Sequence, residues 1–459
     1  PLPRPTADDA VRAPFPPLES RDLERGTLPD QGTTMHLNAL LITFLAVFGL
    51  SMAVRSVLRR LNIHHLRRFG AVVPGVFRDS IDEGTLLRMR DYTVSLSRLG
   101  SVELVAGDGA ALALILSGFL PWLTGTGMLT GLPPVAAGVL FFFACALILE
   151  AVEIPFDLYR TFVIEKRFAF STTTFGLWLA DLAKSLVLSG IILGTLLAIF
   201  LALIYRVPGL WWLLAWACFA AFQLVLTLAY PVAIAPLFNK FTPIEEGELK
   251  TRIRSLMDRA GLGFGGLFRM DASLRSTHSN AYFTGIGKTK RIVLFDTLMD
   301  THTTDEITAV LAHELGHLKK GHVKKQLLLS MGLSLVGLYL AALFIAWPLP
   351  YETFGFTGVV SYAGLFLLAL ASKPFAFFLT PFGSMLSRRF ERQADAYAYG
   401  LTGAAAPLAQ ALKRIAKDNL ANLHPHPLYA WFYYSHPPLV ERIEALEKAG
   451  NDAPQPSAA

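Results

Sequence analysis

The sequence predicts an α-helical polytopic membrane protein of seven transmembrane helices, with a mostly helical domain and a small β-sheet on one side. Three observations carry that reading. Of 459 residues, 53% are hydrophobic and 17% charged, with a mean hydropathy of +0.45, too apolar for an ordinary soluble enzyme. Apolar runs of about 20 residues recur, the length that a hydrocarbon core of roughly 30 Å requires. Lys and Arg crowd into some of the loops between those runs and avoid the others.

Residues 1–34 lack an initiating Met and are rich in Pro, Asp, Glu and Arg. They match neither a signal nor a transit peptide and read as a disordered extension, with Met35 as a natural start. Residues 35–235 form a membrane domain. Its first span is 37–58, followed by a basic stretch with Arg59, Arg60, Arg67, Arg68, Arg78, Arg88, Arg90 and Arg98. The second span is 110–128 and the third 135–154, separated by the Gly131-Leu132-Pro133-Pro134 turn. The fourth and fifth are 175–205 and 208–235. Asp181 and Lys184 lie early in the fourth, where they can pair or face a wet interior.

Residues 236–449 form a second domain, interrupted by spans six (327–347) and seven (359–379). Glu245–Ala260 has helical periodicity and ends at Gly261. Strands are predicted at 267–270, at 280–285 and at 291–295, the last two paired across the turn at 287–290. A helix with Arg388 through Ala398 follows the seventh span, then helices at 407–417 and 439–449, and 450–459 reads as a disordered tail. Alternation across seven spans puts every basic loop on one side, which the positive-inside rule makes cytoplasmic. Both halves of the second domain meet there.

The +6 net charge follows this loop pattern, so nucleic acid is not an expected partner. Cys145 and Cys218 both lie in apolar spans, which excludes a disulfide framework and thiol-rich zinc sites.

The chemistry centres on His313-Glu314-Leu315-Gly316-His317. Thr303 and Glu306 form a capping box that starts its helix. Four positions apart, His313 and His317 share a helix face and can hold one zinc ion, with Glu314 beside them as a general base. A catalytic zinc takes a third protein ligand, and the best candidate is Glu391. Spans six and seven go out and return, bringing its helix back beside the histidines. Asp395, one turn on, can accept a hydrogen bond from a ligand histidine and fix its tautomer. The motif also occurs by chance. Here, however, a capped helix abuts the membrane and a Glu-x-x-x-Asp helix returns to the same side, which favours one Zn2+ per chain. His322 falls outside the ligand set, near the site or at the surface, and His302, His424 and His426 read as loop residues.

With both halves in view, the chain resembles the type I CAAX prenyl protease family, seven-span zinc endopeptidases of endoplasmic reticulum membranes with bacterial relatives. The likeness covers 36–447. It is carried by Phe162-Val163-Ile164-Glu165-Lys166-Arg167-Phe168, by Thr174 through Asp181 to Lys184, and by Ala235-Pro236-Leu237-Phe238-Asn239-Lys240-Phe241. Ser279-Asn280-Ala281-Tyr282-Phe283, Arg388 through Ala398, and Ser435-His436-Pro437-Pro438 with Glu441-Arg442 add to it.

The resemblance implies a zincin-like metalloprotease domain closing the cytoplasmic end of a ring of spans around a water-filled chamber. It implies His313, His317 and Glu391 as ligands and Glu314 as base. Asp395 corresponds to a family proton-donor or ligand-orienting residue; a carboxylate beside a histidine ligand favours the orienting role. His436 would donate to the oxyanion, and Arg442 would pair with carboxylates of the Glu391 helix. Asn280, Ala281, Tyr282 and Phe283 would form the edge strand that pairs with an extended peptide. Taken alone, Tyr282 and Phe283 read as core aromatics and His436 as a loop residue.

The expected function is hydrolysis of peptide bonds in membrane-associated, CAAX-type substrates, lipidated or plain, at the surface of a lipid bilayer. Met35 and the short loops lean toward a bacterial member in the inner membrane; a eukaryotic one would sit in the endoplasmic reticulum. The alternatives are a bacterial heat-shock quality-control protease, against which seven spans and the Phe162–Lys184 stretch argue, and a transporter or channel with a vestigial zinc domain.

Overall fold

The computed structural model describes residues 35–284 and 291–452. The stretch expected to be disordered at 1–34 and the turn at 287–290 lie outside the described residues, as do 453–459 of the tail expected at 450–459, whereas its first residues continue a helix that runs Leu439–Asn451. Among the described residues, six helices are long and apolar enough to cross a membrane. A seventh span results when Ser361–Phe377 and Thr380–Thr402, bent by 61° at their junction, are taken together.

Several helices overrun the hydrocarbon. The first runs Ala39–Phe69, 31 residues or about 46 Å, so it carries the basic stretch out of the membrane as continuous helix. The second differs most from expectation. It spans Glu83–Leu116 rather than 110–128, because the Asp82 carboxylate caps it by accepting from Thr85 N at 2.9 Å. At its far end Gly118, at φ 75°, breaks the run into short helices at Phe119–Thr124 and Gly127–Thr130. Arg88, Arg90 and Arg98 thus stand on a helix, not in a loop. The helix bearing Glu391 also begins earlier than expected, at Thr380, since only Phe378 and Leu379 separate it from Phe377. The seventh span therefore bends directly into it.

Two hydrophobic cores sit at opposite ends of the spans. At one end Leu41, Phe44, Phe141, Leu201, Tyr351 and Phe366 pack together. At the other, Ile253, Leu256, Leu294, Leu311 and Leu315 of the second domain pack with Phe77, Leu86, Met89, Ile164 and Phe168 of the first. Between the ends, spans one, two, three and seven enclose a cavity of about 590 Å³. Arg55, Glu103, Asp108, Glu153 and Lys373 line it, and Arg55 pairs with Asp108 at 3.0 Å. Charged groups at this depth need such a lined interior. Val187, Ile191 and Leu193 of the fourth span are exposed instead, as lipid-facing residues are.

The sheet has four strands: β1 (Phe241–Pro243), β2 (Leu267–Met270), β3 (Ala281–Thr284) and β4 (Arg291–Phe295). Their order is β1-β2-β4-β3, with β2 and β4 parallel and the outer pairs antiparallel. Among the described residues, β3 pairs on one side only. The sheet is moored to the membrane helices through Arg275, whose guanidinium grips Asp181 at 2.8 and 3.2 Å and reaches Asn239 Oδ1 at 3.4 Å. Lys184 adds bonds to Asp181 at 3.4 Å and to the Leu237 carbonyl at 3.2 Å. The pairing expected of Asp181 and Lys184 is present, and its larger partner comes from the second domain.

Candidate metal centre

The motif helix is Thr304–Lys319, and both bonds of its capping box are formed, Glu306 N to Thr303 Oγ1 at 3.3 Å and Thr303 N to Glu306 Oε2 at 2.8 Å. It crosses the Thr380–Thr402 helix at Gly316. A Cβ there would stand 2.7 Å from Ala394 Cα and 2.9 Å from the Ala394 carbonyl oxygen. The glycine inside the motif lets the two backbones meet, and the meeting delivers Glu391 to the histidines.

Glu391 Oε1 lies 3.2 Å from His317 Nε2, and its Oε2 lies 3.4 Å from His313 Nε2. The two Nε2 atoms are 3.2 Å apart. Ligand atoms about 2.0–2.1 Å from a tetrahedral zinc stand about 3.3 Å from one another, so the spacing fits such an ion. Glu391 Oε2 is buried without an aligned hydrogen-bond donor, as suits a carboxylate oxygen meant for a metal. Among the described residues, His313, His317 and Glu391 form the group whose side-chain ligand atoms converge closely enough to hold a metal ion.

The electrostatics agree. Burial works against a charged His313, yet Asp395 and Glu391 outweigh it and lift its pKa to about 9. Burial also disfavours the Glu391 carboxylate, but the three surrounding histidines hold it far below the usual carboxylate range. A site that stabilises this much positive charge suits a cation. Glu314, on the cavity wall beside the ligands, has its pKa raised by burial.

Asp395 Oδ1 is 2.7 Å from His313 Nδ1. Arg442 donates to both Asp395 oxygens, at 2.7 and 3.0 Å, and stands 3.5 Å from Glu391 Oε2. His436 has its Nδ1 2.7 Å from Glu391 Oε2, and its side chain is 62% exposed at the cavity rim. Its loop is held by Arg388, which is buried and donates to the Tyr434 carbonyl at 2.6 Å and the Ala430 carbonyl at 3.3 Å. Sequence reasoning quoted Arg388 without giving it a task; only the helix Pro427–Tyr433, whose end it caps, supplies one.

A cavity of about 560 Å³ opens beside Glu314, walled by Leu298, Val310, Leu408 and Leu412 on one side and by Ser279, Asn280 and Ala281 on another. Tyr282 and Phe283 continue the strand. Tyr282 packs toward Met270 and Val293, and Phe283 joins the domain core. The approach to the strand is anchored by His278, which sequence reasoning passed over. Its Nδ1 donates to Asn419 Oδ1 at 3.0 Å, its Nε2 is 3.4 Å from Glu165, and its ring stacks on Phe170 at 4.0 Å. His302 is buried at a helix end, whereas His424 and His426 lie in the loop before Pro427, on Val72 and Asn62.

Residues 62–240 match the family described as CAAX prenyl protease N-terminal, five membrane helices, and residues 243–449 match peptidase family M48. CAAX prenyl protease 1 of Saccharomyces cerevisiae is 35% identical over 88% of this chain and 95% of its own length. The CAAX prenyl protease 1 homolog of Homo sapiens is 31% identical, over 82% of this chain and 88% of its own. The crystal structure of S. mikatae Ste24p superposes with a TM-score of 0.84 at 33% identity, covering 90% of this chain and 100% of that one. Spans, split ligand set and relatives converge: this chain belongs to the M48 peptidases, as a multi-pass membrane metalloprotease of the CAAX prenyl protease 1 family.

Proposed function

We propose that the protein is a zinc-dependent endopeptidase that cleaves CAAX-type protein substrates, lipidated ones included, on the cytoplasmic face of its membrane. The observation that carries this reading is the tetrahedral spacing of His313, His317 and Glu391 beside Glu314 on the wall of a cavity. A zinc ion held by those three supplies Lewis acidity for activating water and polarising a carbonyl.

The chain's own groups do the rest. Glu314 takes the proton of the attacking water and returns it to the leaving amine, a transfer favoured by the raised pKa that burial gives it. His436 offers an exposed N–H donor at the rim for the developing oxyanion. Asp395, backed by Arg442, holds the proton on His313 Nδ1 and so keeps Nε2 free for the metal. An extended substrate adds to the open side of β3, with Asn280 and Ala281 at the cavity and Tyr282 and Phe283 fixing the strand behind them. That mode reads backbone, so the side-chain preference falls to the apolar wall of Val310, Leu408 and Leu412.

Purified protein is given farnesylated and unprenylated versions of one CAAX peptide, with and without a chelator. Cleavage should be chelator-sensitive, restored by zinc, and faster on the farnesylated peptide. Glu314→Gln should lower kcat by about 10²–10⁴-fold while zinc stays bound. Equal cleavage of both peptides refutes the lipid preference, and chelator-resistant cleavage refutes the metal.

A further inference from the structure

His322 stands five positions after His317, a spacing that turns a side chain off the ligand face of one continuous helix. The helix is not continuous. It ends at Lys319, Gly321 takes a left-handed conformation at φ 66° and ψ 32°, and a new helix, the sixth span, starts at His322. The redirected axis carries the His322 ring back to the His317 ring, their centroids 5.0 Å apart and their Nδ1 atoms 3.0 Å apart. The other nitrogen, Nε2, lies 2.9 Å from Gln393 Oε1. The His322 residue is 1% exposed and its ring stacks on Phe390 at 4.1 Å with an interplanar angle of 8°.

Counting protons gives this row a direction. His317 turns its Nε2 into the ligand cluster, so its single ring proton belongs on Nδ1. A donor must face an acceptor, which makes His322 Nδ1 the acceptor and puts the His322 proton on Nε2. That proton is donated to Gln393 Oε1. Every N–H along the row then has one acceptor, with none left over.

We propose that His322 is the positioning residue of His317, fixing its tautomer and ring plane as Asp395 does for His313, with Gln393 completing the row. This rests on the metal reading above. Both orienting rows end on the Thr380–Thr402 helix that also supplies Glu391. Because His322 is the first residue of the sixth span, a shift of that span is felt directly at a metal ligand.

The test uses the full chain in detergent and measures zinc affinity by competition with a chromophoric chelator, alongside the unfolding temperature of zinc-stripped protein. His322→Phe keeps ring volume and stacking but offers no acceptor, and it should weaken zinc binding about 10–100-fold. His322→Asn, which puts a carbonyl oxygen near the place of Nδ1, should recover most of that affinity. Gln393→Ala should weaken binding less and add nothing in the His322→Phe background, as members of one row do. The zinc-stripped unfolding temperature should be equal for wild type and His322→Phe. Wild-type affinity in His322→Phe, or a loss in His322→Asn as large as in His322→Phe, overturns the proposal while leaving the metal site standing. An unfolding temperature that falls with affinity in His322→Phe makes His322 a packing residue and also overturns it. Failure of the wild-type protein to bind zinc would instead remove the reading on which both depend.

Discussion

Asp395 carries two tasks, one toward His313 and one toward Arg442, and both depend on its charge. Arg442 is buried, so removing the carboxylate's charge leaves its guanidinium with only Glu391, at 3.5 Å, as an ionic partner. Asp395→Asn should therefore weaken zinc about 10–100-fold and lower the unfolding temperature, measured by zinc competition and calorimetry; a change in neither would show the pair to be idle. His278 gives a pH prediction. Burial works against its charged form, but hydrogen bonds with Glu165 and Asn419 outweigh burial and hold its pKa above the ordinary value. A histidine raised on folding stabilises the fold fully below its unfolded pKa, and that stabilisation is lost as pH rises through the folded value. The stability gap between wild type and Glu165→Gln should be widest below about pH 6.5 and narrow on the alkaline side. Thermal unfolding across pH checks it, and a gap independent of pH would count against the charged pair.

At the scale of elements, the crossing of the motif helix and the Glu391 helix decides whether a site exists. Gly316→Ala puts a methyl 2.7 Å from a backbone carbon, which neither helix can yield without moving apart. Overpacking of this kind costs about 1–3 kcal/mol, and a small separation also pulls Glu391 from the histidines. The expected result is a folded, destabilised protein with little bound zinc, read by metal analysis after gel filtration. A stoichiometric zinc content would contradict the geometry. Thr303→Ala removes one cap bond of the same helix and should cost only about 1 kcal/mol, with zinc retained. The capping box, the two histidines and the strands β2 and β4 were legible because each is written in local spacing. The second span was misplaced because its cap, Asp82, lies far before the apolar run at 110–128, and its end, Gly118, breaks that run from within. His322 was left undecided between the neighbourhood of the site and the surface for a related reason: one left-handed glycine, Gly321, turns a spacing rule into the wrong angle.

For the molecule as a whole, one hydrophobic core is built from both halves of the chain. Phe77, Leu86, Met89, Ile164 and Phe168 come from the first half of the chain and pack with Leu311 and Leu315 of the motif helix. Arg275, bound to Asp181 and Asn239, adds a polar tie at the same junction. Residues 236–449 expressed alone should therefore fail to give a soluble zinc protein, and co-expression with 35–235 should restore zinc uptake. Stoichiometric zinc in the isolated segment would show that the shared core is dispensable. The spans other than the second, the His-Glu-x-x-His run and Glu391 as the candidate third ligand could all be read from the sequence. These depend on hydropathy, charge and helical period, which act over a few turns of chain. Three-dimensional packing is what seats Gly316 against Ala394, returns His322 to His317 through Gly321, and builds one core from both halves of the chain. The first and last are meetings of segments distant in the chain, fixed by excluded volume and burial, and the second turns on the left-handed backbone of Gly321, which regular helical spacing does not encode.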